Sequence, residues 1–137
     1  HATISGGGVW CKGSDPQFIN CTFVGNSSMA GGAVFVLGTS SPILTNCIVA
    51  FSEEGGGLYS NESSSQPTAH CCDIFNNVGG DWAGSTADQS GINGNFELDP
   101  LFCDPESGNY GLEASSPCLP ANNDCHILMG APQTGCQ

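Results

Sequence analysis

Gly6-Gly7-Gly8-Val9-Trp10, Gly31-Gly32-Ala33-Val34-Phe35 and Gly55-Gly56-Gly57-Leu58-Tyr59 are one motif written three times. A second mark recurs inside each unit. Pro16, Pro42 and Pro67 are each followed five residues later by a cysteine, at Cys21, Cys47 and Cys72. The period is 24 to 26 residues. Turn residues at fixed offsets between short apolar runs, repeated at this spacing, are the mark of a solenoid.

Written in register, the units align Val9 with Val34 and Leu58, and Trp10 with Phe35 and Tyr59. Phe18 falls with Leu44 and Ala69, and Phe23 with Val49 and Ile74. The runs are rich in Val, Ile, Phe and Thr and are broken by Gly, Pro, Asn and Ser, which reads as strands joined by turns. No 3.6-residue period survives in residues 1–80. A unit of two or three short strands buries its apolar side by winding. Each strand then pairs in parallel with its equivalent one coil on, about 4.8 Å away.

Stacking turns equivalent residues into ladders. Cys21, Cys47 and Cys72 form a small apolar ladder expected to point inward, as free cysteine usually does. Strand parity turns Trp10, Phe35 and Tyr59 outward if Val9, Val34 and Leu58 face the core. Those rings are expected to pack on the chain itself, or to offer a platform to a sugar or another chain.

The pattern Gly6-Gly7-Gly8-Val9-Trp10, Asp15-Pro16, Asn20-Cys21-Thr22-Phe23 resembles the right-handed parallel β-helix repeat family of secreted bacterial proteins. Asp99-Pro100-Leu101-Phe102, Gly108-Asn109-Tyr110-Gly111-Leu112 and Ser116-Pro117-Cys118 resemble the closing coil of such domains. The resemblance implies an all-β fold with three clear coils of about 25 residues in 1–80. Residues 81–137 would continue the same domain as a last coil and an irregular cap. The family includes lyases, hydrolases, adhesins and surface proteins, so the fold does not settle the function.

Nine cysteines in 137 residues point to an oxidising compartment, outside the cell or on its surface. Cys103, Cys118, Cys125 and Cys136 lie in the cap and are expected to staple it with two bridges, in any of three pairings. Cys11 and Cys71 are left over, and Cys11 is free to bond another chain. No apolar run reaches the ~20 residues of a membrane helix, so no membrane insertion is expected. No signal-peptide pattern is present.

The net charge is −12, with Lys12 the single Lys or Arg. Phosphate contacts need basic groups, so nucleic acid is excluded as a partner. Lyases of this fold use a basic residue against a uronate, and a polyanionic substrate would be repelled. Hydrolases need grouped carboxylates. In the repeats aspartate occurs at Asp15 and Asp73, at different register positions. No catalytic residue, metal site or cofactor is expected. His1, His70 and His126 are scattered, and Glu53-Glu54 and Asp99, Asp104 and Glu106 read as solvated acidic turns.

Asn20, Asn26 and Asn61 begin Asn-x-Ser/Thr triplets and are glycosylation candidates, with Asn26 and Asn61 in turns. Asn20 recurs as Asn46 and reads equally as a turn ladder. Attached sugar would help a weakly charged, Gly-rich chain stay soluble.

Strand-like sequence begins at Ala2-Thr3-Ile4-Ser5 with no shielding helix before it. An open first coil is a template for another chain. The expected function is an extracellular structural subunit that joins copies of itself head to tail into a filament. The alternatives are a carbohydrate-binding or polysaccharide-cleaving module and an adhesin fragment.

Overall fold

The computed structural model describes residues 7–29, 32–60, 63–133 and 135–136. Each repeat contributes three short strands. The first has β1 (Val9–Lys12), β2 (Gln17–Ile19) and β3 (Thr22–Val24); the second has β4 (Val34–Leu37), β5 (Ile43–Thr45) and β6 (Ile48–Ala50). The third has β7 (Leu58–Ser60), β8 (Thr68–His70) and β9 (Asp73–Phe75), and β10 (Trp82–Gly84) follows. Strands pair with their equivalents and not with their chain neighbours. The first sheet runs β1-β4-β7-β10, the second β2-β5-β8 and the third β3-β6-β9, all parallel. Val9, Val34, Leu58 and Trp82 stand in one rank, and so do Phe18, Leu44 and Ala69, and Phe23, Val49 and Ile74. The sheets are open, each ending on a strand with one strand neighbour.

The glycine motif has a steric cause. Successive coils nest so closely at this corner that a Cβ on Gly7 would strike the Gly32 carbonyl oxygen. A Cβ on Gly32 would strike that of Glu54. The turn between the second and third sheets has a different cause. Asn20, Asn46, Cys71 and Asn93 all adopt φ between 51° and 55° there. Asparagine tolerates this left-handed conformation better than most side chains.

Two apolar clusters result. The first fills the coils with Val34, Val36, Leu44, Cys47, Val49, Leu58, Cys72 and Ile74, all fully buried. The second lies on the outer side of the third sheet, where Ile48 and Ala50 meet Phe102, Cys118 and Met129 of the tail. The tail therefore does more than close the last coil. Its hairpin, β11 (Phe102–Asp104) and β12 (Asn109–Leu112), is antiparallel. Its last segment runs back to the first coil, where the Asn20 amide donates to the carbonyls of Leu128 and Gly130 at 2.7 and 3.3 Å. The Ala131 N–H donates to the Thr22 hydroxyl at 2.8 Å. The outer face of the third sheet, with Ile48, Ala50 and Val24, is too apolar to face water, and the tail is its cover.

Candidate functional site

The features with chemical potential gather where the third coil meets the tail. Thr22, Ile48 and Asp73 form one outward rank of the third sheet. The tail covers that rank, so Asp73 is fully buried. Its carboxylate accepts hydrogen bonds from the Leu98 N–H at 3.1 Å and the Cys118 thiol at 3.2 Å. Burial pushes the Asp73 carboxyl up to about 7, against the lowering effect of these two donors; Asp81 and Asp99 add to the rise. Burial and the adjacent Asp73 push the Cys118 thiol up as well.

The disulfides are Cys71–Cys125 and Cys103–Cys136. Two of the four expected cap cysteines therefore pair with each other, but Cys125 reaches back to Cys71 in the coils. Cys118, expected in a bridge, is a buried thiol. The reason is positional. Cys71 takes the corner that Asn20 and Asn46 hold in earlier coils, at the edge of the tail, whereas Cys118 faces inward onto Asp73. Cys11, considered for a bond to another chain, is inward and only 2% exposed.

Cys21, Cys47 and Cys72 stack within the coil core. The Cys47 thiol donates to the Phe18 carbonyl at 3.3 Å and the Cys72 thiol to that of Leu44 at 3.5 Å. The hydrogen bond with Cys47 and burial push the Cys72 thiol up, so it is a packing element rather than a nucleophile. Trp10, Phe35 and Tyr59 are in register on the first sheet, but they do not form a uniform platform. Phe35 and Tyr59 stack at 5.5 Å, Phe35 is 5% exposed and Trp10 is 55% exposed.

The Asn20 amide is engaged by the tail, which opposes its use as a sugar acceptor. Asn26 is partly exposed and lies beside Gly8. Asn61 falls outside the described residues, as do Ala2-Thr3-Ile4-Ser5 and His1. His70 and His126 are exposed, and each adjoins a cysteine of the Cys71–Cys125 bridge. Among the described residues no three His, Cys, Asp or Glu side chains are gathered around a position for one ion.

Three of the surface clefts are formed by described residues. One of about 540 Å³ lies beside Cys71–Cys125, lined by Asn95, Asn122, Asn123 and Asp124. Its asparagines are already structural. Asn95 bonds the backbone of Cys72, Ala69 and Gln89; Asn122 bonds Ala114 and Ser116; Asn123 bonds Pro117, Leu119 and Ile127. Another, of about 440 Å³, is lined by Ser65, Ser85 and Gln89. The third, of about 480 Å³, is walled by Phe51 and Tyr110 with exposed Glu53 and Glu106.

Sequence reasoning missed the amides that terminate the sheets. Gln89 accepts from the Ala69 N–H at 2.8 Å and donates to the Pro67 carbonyl at 2.6 Å, standing in for a fourth strand of the second sheet. The third sheet is continued by a bridge from Asp73 to Phe96. Two disulfides fit an oxidising environment. Among the described residues no helix is long and apolar enough to cross a membrane. No protein family, curated protein or solved structure matches the chain.

Proposed function

We propose that the chain is a structural segment of a secreted or surface-exposed right-handed parallel β-helix, with no catalytic role, that joins a second copy of itself through its first coil. One observation carries the reading. Val9, Phe18, Cys21 and Phe23, the inward residues of the first coil, are only partly buried, whereas Val34, Leu44, Cys47 and Val49 one coil on are fully buried. Partly exposed core side chains beside strand edges are a joining surface.

The far end favours a closed pair over a head-to-tail filament. There Gln89 and residues 93–96 occupy the ends of the second and third sheets, while among the described residues β10 keeps a strand edge. A contact between two first coils is self-complementary and closes as a dimer. Sedimentation equilibrium tests it. A dimer that dissociates at least tenfold more readily in Phe18→Glu supports the reading. A monomer at about 1 mM, where a contact worth only ~4 kcal/mol is half occupied, overturns it. Fibres in electron micrographs would restore the filament.

A second reading, carbohydrate binding or cleavage, is favoured by the cleft between Phe51 and Tyr110, where two carboxylates flank aromatic walls. Its test is loss of oligosaccharide binding in Tyr110→Ala. An intact mass above the polypeptide's 14.0 kDa would add attached sugar, with Asn26 the described acceptor.

A further inference from the structure

Asp73 is a fully buried carboxylate that accepts from two groups of the tail, the Leu98 backbone N–H and the Cys118 thiol. The strand beside it contributes only Ile48 to the rank, and Phe96 bridges its other side. The ionisable groups that act on it are Cys118, Asp81 and Asp99, and every added charge is negative. Lys12 lies on the first sheet and His70 on an exposed position of the second, so neither neutralises it. The two donors favour the ionised form, but burial with no cation beside it outweighs them; protonated, the carboxyl carries no charge and its O–H donates to the Cys118 sulfur.

We propose that Asp73 is a proton-operated latch: protonated, it holds residues 97–118 closed on the third sheet, and ionised, it loosens that seam while the two disulfides keep the tail attached. The direction follows from the chemistry. Acid closes the tail and mild alkali opens it. Cys118 is the built-in reporter, because its thiol is sealed by the same seam.

The test is alkylation of Cys118 by iodoacetamide from pH 5.5 to 8.5, read by peptide mass spectrometry. Each rate is divided by that of an unfolded peptide carrying the same cysteine, which removes the thiol's own titration. The expected ratio rises about thirtyfold across the range, with its midpoint near 7, and stays flat in Asp73→Asn. Cys47 and Cys72, sealed in the coils, stay protected in both proteins. A flat ratio in the unmodified protein, or an equal rise in Asp73→Asn, overturns the latch. Should Asp73→Asn fail to fold, carboxyl ¹³C NMR of the unmodified protein decides. A midpoint near 7 supports the latch and one near the ordinary ~4 overturns it.

Discussion

The coils and the tail solve one problem by different means. Both must satisfy backbone groups and bury apolar surface. The coils do it by repetition, since each strand finds its partner in the same strand one turn on. The tail does not continue the repeat and uses side chains instead. Gln89 replaces a strand, Asn95 and Asn123 tie loops, and two disulfides fix the path. Repetition is tolerant, because neighbouring coils share the load. Side-chain closure is singular, because each group has no substitute.

The largest effect should follow from cutting a singular link. Replacing both Cys71 and Cys125 with serine opens a loop with a sequence separation of 54. The loss should be about 4 kcal/mol in chemical denaturation. Hydrogen exchange should show the tail's amides unprotected while β4–β9 stay protected. Simultaneous loss in both regions would mean that coils and tail form one cooperative unit.

The pH dependence comes next. In the unfolded chain Asp73 titrates near ~4, and in the folded protein its carboxyl is raised to about 7. The native state thus binds this proton more tightly. The stability it contributes is complete below pH ~4 and is lost as pH rises to about 7, roughly 3–4 kcal/mol in all. Denaturation midpoints should fall over that window, and the Asp73 contribution to the slope should be absent in Asp73→Asn. A rise with pH in the unmodified protein that Asp73→Asn removes would place the shift in the opposite direction.

Core truncation separates one coil from the next. Leu44→Ala removes a fully buried side chain and should cost about 3 kcal/mol. Phe18, its partner in the first coil, is only partly buried, so Phe18→Ala should cost about 1–2 kcal/mol at low protein concentration. At concentrations where the protein self-associates, the Phe18 cost should grow. Equal costs at every concentration would mean that the first coil is already covered.

Much of this was legible in the sequence, for a physical reason. Stacking forces the same side chain into the same environment once per coil, so periodicity reports register directly. The alignment of Phe18 with Leu44 and Ala69 is the observed pairing. The tail was not legible, because each of its contacts is made once. Cys71 stands where two coils carry asparagine, and that departure from the repeat was the one sign that it had a different partner. Asp73 stands in register with Thr22 and Ile48, an outward position where an acid is unremarkable until a tail covers it. Cys118 resembled its neighbours in the cap, and only its burial against Asp73 distinguishes it.

Gln89 gives the finest test of side chain against strand. Its amide oxygen accepts the Ala69 N–H, and its amide nitrogen donates to the Pro67 carbonyl, the two roles a strand's peptide group would fill. Gln89→Leu keeps most of the volume but removes both, leaving the buried Ala69 N–H unpaired and costing about 2 kcal/mol. Gln89→Glu keeps the acceptor but sets a carboxylate oxygen against the Pro67 carbonyl, so it too should be destabilised, most above pH ~5 where the glutamate is ionised. The Ala69 amide should exchange faster in Gln89→Leu and unchanged in Gln89→Glu. Were both variants as stable as the parent, the second sheet would need no terminator, and the edge of β8 would be as tolerant as the strands within the coils.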